Sequence, residues 1–147
     1  MNSTVDDGLP WLYGDFSALK LSRSDGVLSI NLCNPPLNAM TDEIHTELAA
    51  IFPIIDRDEH SRIVVFTGSG ERAFCAGGDF EQMLSGMGDV SGWLHKMQQA
   101  RSIVIGMLEC RKPIIGRING HAIGLGASLA LCCDVTVMVD DAEPLTG

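Results

Sequence analysis

Residues 112–139, KPIIGRINGHAIGLGASLALCCDVTVMV, constrain the fold more than any other stretch. The pattern predicts a buried strand over 113–118, a glycine-spaced bend over 119–124, a short apolar helix over about 125–133 and a second buried strand over 134–139. Asn119-Gly120 is a turn dipeptide whose residues both tolerate positive φ. Gly124 and Gly126 allow the backbone to approach another segment or a ligand with no Cβ in between. The first N–H groups of the following helix have no acceptor inside it and suit a developing negative charge. The N–H of Leu125 is therefore a candidate for half of an oxyanion-binding pair. The competing reading is a tightly packed helix–strand corner with no ligand.

The segments before it define the fold class. Residues 16–23 alternate apolar and polar side chains, Asp25-Gly26 follows, and 27–32 alternates again, which predicts a hairpin. Thr41 is a suitable N-cap for a helix whose Ile44, Leu48, Ile51 and Ile55 recur at helical spacing. Pro53 within that stripe predicts a kink or a frayed last turn, and His45 and Glu43 read as helix surface. The apolar run at 63–66 reads as a strand covered on both faces. Strand, helix, strand in this order implies a right-handed crossover and a parallel sheet, hence an α/β fold. Residues 67–79 form a glycine-rich loop, 80–84 a short helix, and Trp93, Leu94, Met97, Ala100, Val104 and Leu108 mark a long amphipathic helix. Residues 1–15 are polar and read as a flexible arm.

Charge and composition exclude several functions. A net charge of −9 over 147 residues argues against nucleic-acid binding, which needs a basic face, and the length fits one domain. No stretch reaches the roughly 18 apolar residues of a membrane span. The N-terminus carries acids where a secretion signal would carry Lys or Arg. Cys33, Cys75, Cys110, Cys132 and Cys133 are odd in number and lack CxxC spacing, as expected of reduced thiols in the cytoplasm. No His/Cys/Asp group has metal-ligand spacing, so no metal is expected.

Three glycine motifs compete for the chemistry. Gly68-Ser69-Gly70-Glu71-Arg72-Ala73 fits the dinucleotide pattern GxGxxA, but residues 74–79 are a poor helix start, and a dehydrogenase is the least favoured reading. Gly126-Ala127-Ser128-Leu129-Ala130 resembles a nucleophile elbow, yet Ser128 falls inside the helix and is better read as bonding its own backbone. The third option joins two loops. Gly77-Gly78 ends one and Gly124–Gly126 forms the other; if their strands are neighbours, both emerge at the same sheet edge. The N–H groups of Gly78 and Leu125 could then converge on one carbonyl oxygen.

The segments NPPLNAM (34–40), ERAFCAGGDF (71–80) and residues 112–135 resemble, in order and spacing, the crotonase or enoyl-CoA hydratase/isomerase superfamily. The resemblance covers residues 16–142 as a core, with 143–147 as a tail. It implies a spiral of ββα turns with a mostly parallel sheet, a homotrimer or hexamer, and an acyl-CoA substrate with coenzyme A as part of that substrate and no separate cofactor. By motif position it implies that Gly78 and Leu125 supply oxyanion-hole N–H groups. It also implies that Leu37, Ala39, Ala76, Asp79 and Phe80 line the acyl-CoA groove.

The chain departs from that pattern in places. Hydratases of the family carry a glutamate where this chain has Ser128, and their second carboxylate falls beyond Gly147. The basic residue expected near the start of NPPLNAM is absent, and Leu125 replaces a usual glycine. Residues 143–147 resemble a segment that in the family comes much later, which suggests a fold incomplete at its C-terminus and apolar helix faces at 93–110 and 125–133 with reduced cover. Two functions follow from the resemblance: a hydratase/isomerase-type enzyme acting through an enolate, or an inactive fragment that binds CoA or co-assembles with a full-length relative. His121, beside the bend, reads either as a substrate contact or as a loop histidine.

Overall fold

The computed structural model describes residues 12–14, 16–86 and 88–140. A five-stranded sheet has the order β1 (Leu19–Ser24), β2 (Val27–Leu32), β3 (Ile63–Gly68), β5 (Ile114–Ile118), β7 (Val135–Met138). A second, two-stranded sheet pairs β4 (Ala73–Cys75) with β6 (His121–Ala122). The helices are α1 (Asp42–Arg57), α2 (Phe80–Ser85), α3 (Val90–Glu109) and α4 (Leu125–Leu131). A strand of the large sheet, a strand of the small sheet and helix then recur as β3–β4–α2/α3 and β5–β6–α4, which gives the mixed α/β spiral.

The β1–β2 pair is antiparallel, and its turn uses positive φ at both Asp25 (53°) and Gly26 (79°), as a tight two-residue hairpin requires. All later pairings in the large sheet are parallel. Thr41 caps α1 by accepting from the Ile44 N–H. The last turn of α1 is not frayed after Pro53: the helix continues to Arg57, and the Asp58 N–H closes it on the carbonyls of Ile54 and Ile55. One side of α1 buries Ile44, His45, Leu48, Ile51, Phe52 and Ile55, which corrects the surface reading of His45. His45, Leu48 and Phe52 are spaced by three and four residues, so the histidine lies on the apolar stripe.

The core joins this stripe to Leu28, Ile30 and Leu32 of β2, Val64 and Phe66 of β3, Ile114 and Ile118 of β5, and Ile103 and Met107 of α3. Phe66 meets Phe74 edge-to-face at 5.3 Å between ring centres. Of the 1–15 segment, residues 12–14 are described, and they are not loose: Tyr13 is buried and its hydroxyl donates to Asp58 at 3.0 Å. Asp58, itself buried, also meets Arg23 at 3.0 Å, Ser61 and the His60 N–H. Burial opposes its charge, but the hydrogen bonds from Ser61, His60 and Tyr13 and the Arg23 guanidinium outweigh it and hold the carboxyl below the usual range.

Two expectations fail here. β7 is not buried: Val135, Val137 and Met138 are 55%, 59% and 43% exposed, because it is the edge strand and Leu131 beside it is exposed as well. Asn119-Gly120 does not use positive φ; Asp25 and Asn38 are the non-glycine residues that do among those described. Gly120 is needed for closeness instead, since a Cβ there would fall 2.4 Å from the Arg72 carbonyl oxygen. Residues 141–147, including the late-family segment at 143–147, lie outside the described residues.

Candidate active site

The two glycine loops meet because β4 and β6, which lead into them, run parallel. The Ile123 N–H donates to the Cys75 carbonyl at 3.0 Å and the His121 N–H to that of Arg72 at 3.1 Å. Two parallel strands side by side release their loops at the same end. The loops then touch through backbone: a Cβ on Gly77 would fall 2.8 Å from the Ile123 carbonyl oxygen, and one on Gly126 would fall 2.1 Å from that of Cys75. Gly124, at φ 57° and ψ −121°, takes a conformation that a side chain would strain.

A third segment aligns the first loop. Asn38, buried and at φ 51°, donates its amide to the carbonyls of Ser69 (2.8 Å) and Ala73 (2.7 Å), which clamps 34–40 onto 69–75. Asn119 does the same from the β5 side, accepting from the Gly68 N–H at 2.9 Å and donating to the Gly70 carbonyl at 2.7 Å. Met40 then forms a parallel bridge with Gly78: its N–H donates to Gly77 and its carbonyl accepts from Asp79. In such a bridge the partner's flanking residues make both bonds, so the N–H of Gly78 points away from Met40. Among the described residues, neither that N–H nor the N–H of Leu125 has a protein acceptor.

Both residues line one cavity of about 340 Å³. Its wall also includes Met40, His45, Asp79, Gln82, Trp93, Lys96, Met97, Ala100 and Ser128. Of these, Asp79 is the one carboxylate, and it accepts from the Gln82 N–H at 2.9 Å as the N-cap of α2. Lys96 is paired with Asp42 at 2.9 Å. Ser128 donates to the Gly124 carbonyl at 3.4 Å, the helix-internal bond expected of it.

Of the residues read as groove-lining, Asp79 is in this wall and Phe80 is not. Phe80, 71% exposed, lines an adjoining cavity of about 370 Å³ that shares Trp93. Leu37, Ala39 and Ala76 lie on the segments flanking the Met40–Gly78 bridge, where the Ala76 N–H donates to the Leu37 carbonyl at 3.0 Å. His121 sits in β6 and is absent from the residues lining either cavity. His45 was read as helix surface, and Gln82 and Lys96 were not singled out from sequence. Trp93, Met97 and Ala100 were visible as a stripe, but spacing alone does not say which cavity a stripe faces. Among the described residues no group of His, Cys, Asp or Glu could hold a metal, and no helix is long and apolar enough to cross a membrane.

Residues 22–145 match the family model for enoyl-CoA hydratase/isomerase. A probable peroxisomal enoyl-CoA hydratase of Arabidopsis thaliana is 36% identical over 140 residues, covering 93% of this chain and 47% of the relative. A carnitinyl-CoA dehydratase of Proteus mirabilis is 31% identical over 134 residues, covering 86% and 47%. Among solved structures, an enoyl-CoA hydratase/isomerase from Mycobacterium paratuberculosis superposes with a TM-score of 0.78 at 34% identity, over 83% of this chain and 49% of that one. The chain thus spans about half the length of the curated relatives it matches.

Proposed function

The chain belongs to the enoyl-CoA hydratase/isomerase family, and on that premise we propose that it binds an acyl-CoA thioester and stabilises its enolate with the N–H groups of Gly78 and Leu125. The observation that carries this reading is that two residues whose backbone amides lack a protein acceptor among the described residues both line one cavity. Two such donors suit the oxygen of an enolate better than that of the ground-state thioester, because the charge develops on it as the α-proton leaves. They are held by strand pairing and by glycine contacts with the partner loop, so little reorganisation is needed when charge appears.

The acyl group enters between Met40, Trp93, Met97 and Ala100, an apolar wall, and the CoA portion runs past Leu37, Ala39, Ala76, Asp79 and Phe80. CoA arrives as part of the substrate. Ser128 cannot act as a carboxylate base, so isomerisation, hydrolysis or retro-Claisen cleavage fits the site as well as hydration does. Five free cysteines suit a reducing compartment such as the cytoplasm, and a homotrimer or hexamer is the assembly we expect.

The test is turnover of crotonyl-CoA. Gly78→Pro removes one donor and should lower kcat/KM by at least a hundredfold, since one oxyanion donor is typically worth about 3–4 kcal/mol. Wild-type turnover in a folded Gly78→Pro variant refutes the oxyanion role. The exposed apolar strand β7 favours a second reading, an inactive chain that binds CoA or co-assembles with a full-length relative. CoA affinity with no turnover of any acyl-CoA supports that one.

A further inference from the structure

Resting on the acyl-CoA reading above, we propose that His45 is the proton-transferring group of this site, the base that takes the α-proton of the bound thioester. The cavity that holds Gly78 and Leu125 has three ionisable side chains in its wall: His45, Asp79 and Lys96. Two of them each hold a partner through one atom. Asp79 caps α2 through the Gln82 N–H, and Lys96 is bound to Asp42. The uncharged polar side chains are occupied too: Ser128 bonds the Gly124 carbonyl, and Gln82 accepts from the Asp42 N–H at 3.0 Å.

His45 differs from all of these. Its Nδ1 lies 3.1 Å from the Thr41 carbonyl oxygen. A carbonyl can only accept, so Nδ1 carries the hydrogen and the neutral ring has its lone pair on Nε2. Among the described residues Nε2 has no protein partner. The residue is 8% exposed on the packed face of α1 and lines the cavity, and Nε2 is its ring nitrogen without a protein partner among the described residues. The other polar and charged groups in the wall of that cavity are Lys96 and Trp93 of α3, Asp79 and Gln82 at α2, and Ser128 of α4.

The step balances without a further reagent. The Nε2 lone pair takes the α-proton, and the C–H electrons become the C=C bond of the enolate. The thioester C=O pair moves onto oxygen, where the two amides receive it. The imidazolium then returns its proton to the α-carbon, or to the γ-carbon of an enoyl chain, which shifts the double bond.

The experiment follows exchange of the α-protons of butyryl-CoA for deuterium by proton NMR in D2O, with butyryl-CoA affinity measured in parallel. His45→Asn keeps a donor for the Thr41 carbonyl and lacks the second nitrogen. It should bind butyryl-CoA as before and exchange about a hundredfold more slowly. His45→Ala should lose exchange as well and recover part of it with added imidazole, a rescue that a merely structural histidine would not show. Undiminished exchange in a folded His45→Asn protein overturns the proposal, as does loss in His45→Ala without any imidazole rescue. Wild-type protein that binds butyryl-CoA but never exchanges it overturns His45 as the base and leaves acyl-CoA binding, the first half of the reading above, standing. Wild-type protein that does not bind butyryl-CoA overturns both.

Discussion

β3 and β7 are both short, apolar and rich in β-branched residues, IVVFTG and VTVM, yet their surroundings are opposite. β3 lies between β2 and β5, and its Val64 and Phe66 are wholly buried. β7 lies at the edge, with every residue exposed. Sequence composition therefore reports the capacity of a strand to be covered, and neighbouring elements decide whether it is. The same contrast runs along α3, where Ile103 and Met107 are buried against α1 while Leu94 and Leu108 are 57% and 64% exposed.

The largest expected effect tests the contrast directly. Phe66→Ala removes a buried ring and its edge contact with Phe74, and should cost about 4 kcal/mol in urea unfolding. Val137→Ala should change stability by no more than about 0.5 kcal/mol. Equal losses would mean that β7 is covered in solution, as it would be by a partner chain.

The closed region is also sealed electrostatically, and its seal should fail in acid. Asp58→Ala strands the buried Arg23 and should cost about 3 kcal/mol at neutral pH. The carboxyl is held low in the folded state, so its contribution is present above the ordinary carboxylate pKa of about 3.9 and is lost as pH falls through the folded value. Melting temperatures from pH 7 to pH 2 should therefore fall less steeply for Asp58→Asn than for the wild type. A parallel fall would show that Asp58 does not couple to the fold.

The smallest effect sharpens the comparison through cysteine reactivity. The Ser69 hydroxyl, opposed by burial and aided by Lys20, pulls the Cys33 thiol down. Burial pushes Cys75 up to about 11; burial, then Cys132 and Asp134, push Cys133 up to about 12. Iodoacetamide with mass-spectrometric readout should label Cys33 first, ahead of Cys132 beside the exposed β7. Labelling that follows proximity to β7 instead would show that exposure outweighs thiolate fraction.

The large elements were legible in the sequence because each carries its own signal. Asp25-Gly26 marked the hairpin, Thr41 the start of α1, and the runs at 63–66 and 113–118 two strands, which the structure pairs in parallel. The small sheet was not legible. β4 and β6 have three and two residues, too short for a periodicity, and their pairing depends on Asn38 and Asn119 reaching across 35 and 46 positions to the Ala73 carbonyl. The same limit led to the surface reading of His45, because spacing does not say which helix face meets the cavity. Gly78 and Leu125 could be named from their motifs, but the cavity they share is a property of the assembled spiral.

The Met40–Gly78 bridge also fixes a direction. The bonds of Met40 to the Gly77 carbonyl and the Asp79 N–H leave the amide of the residue between them turned outward. On the acyl-CoA reading proposed above, a change that breaks this bridge should weaken turnover even where the two sheets still form.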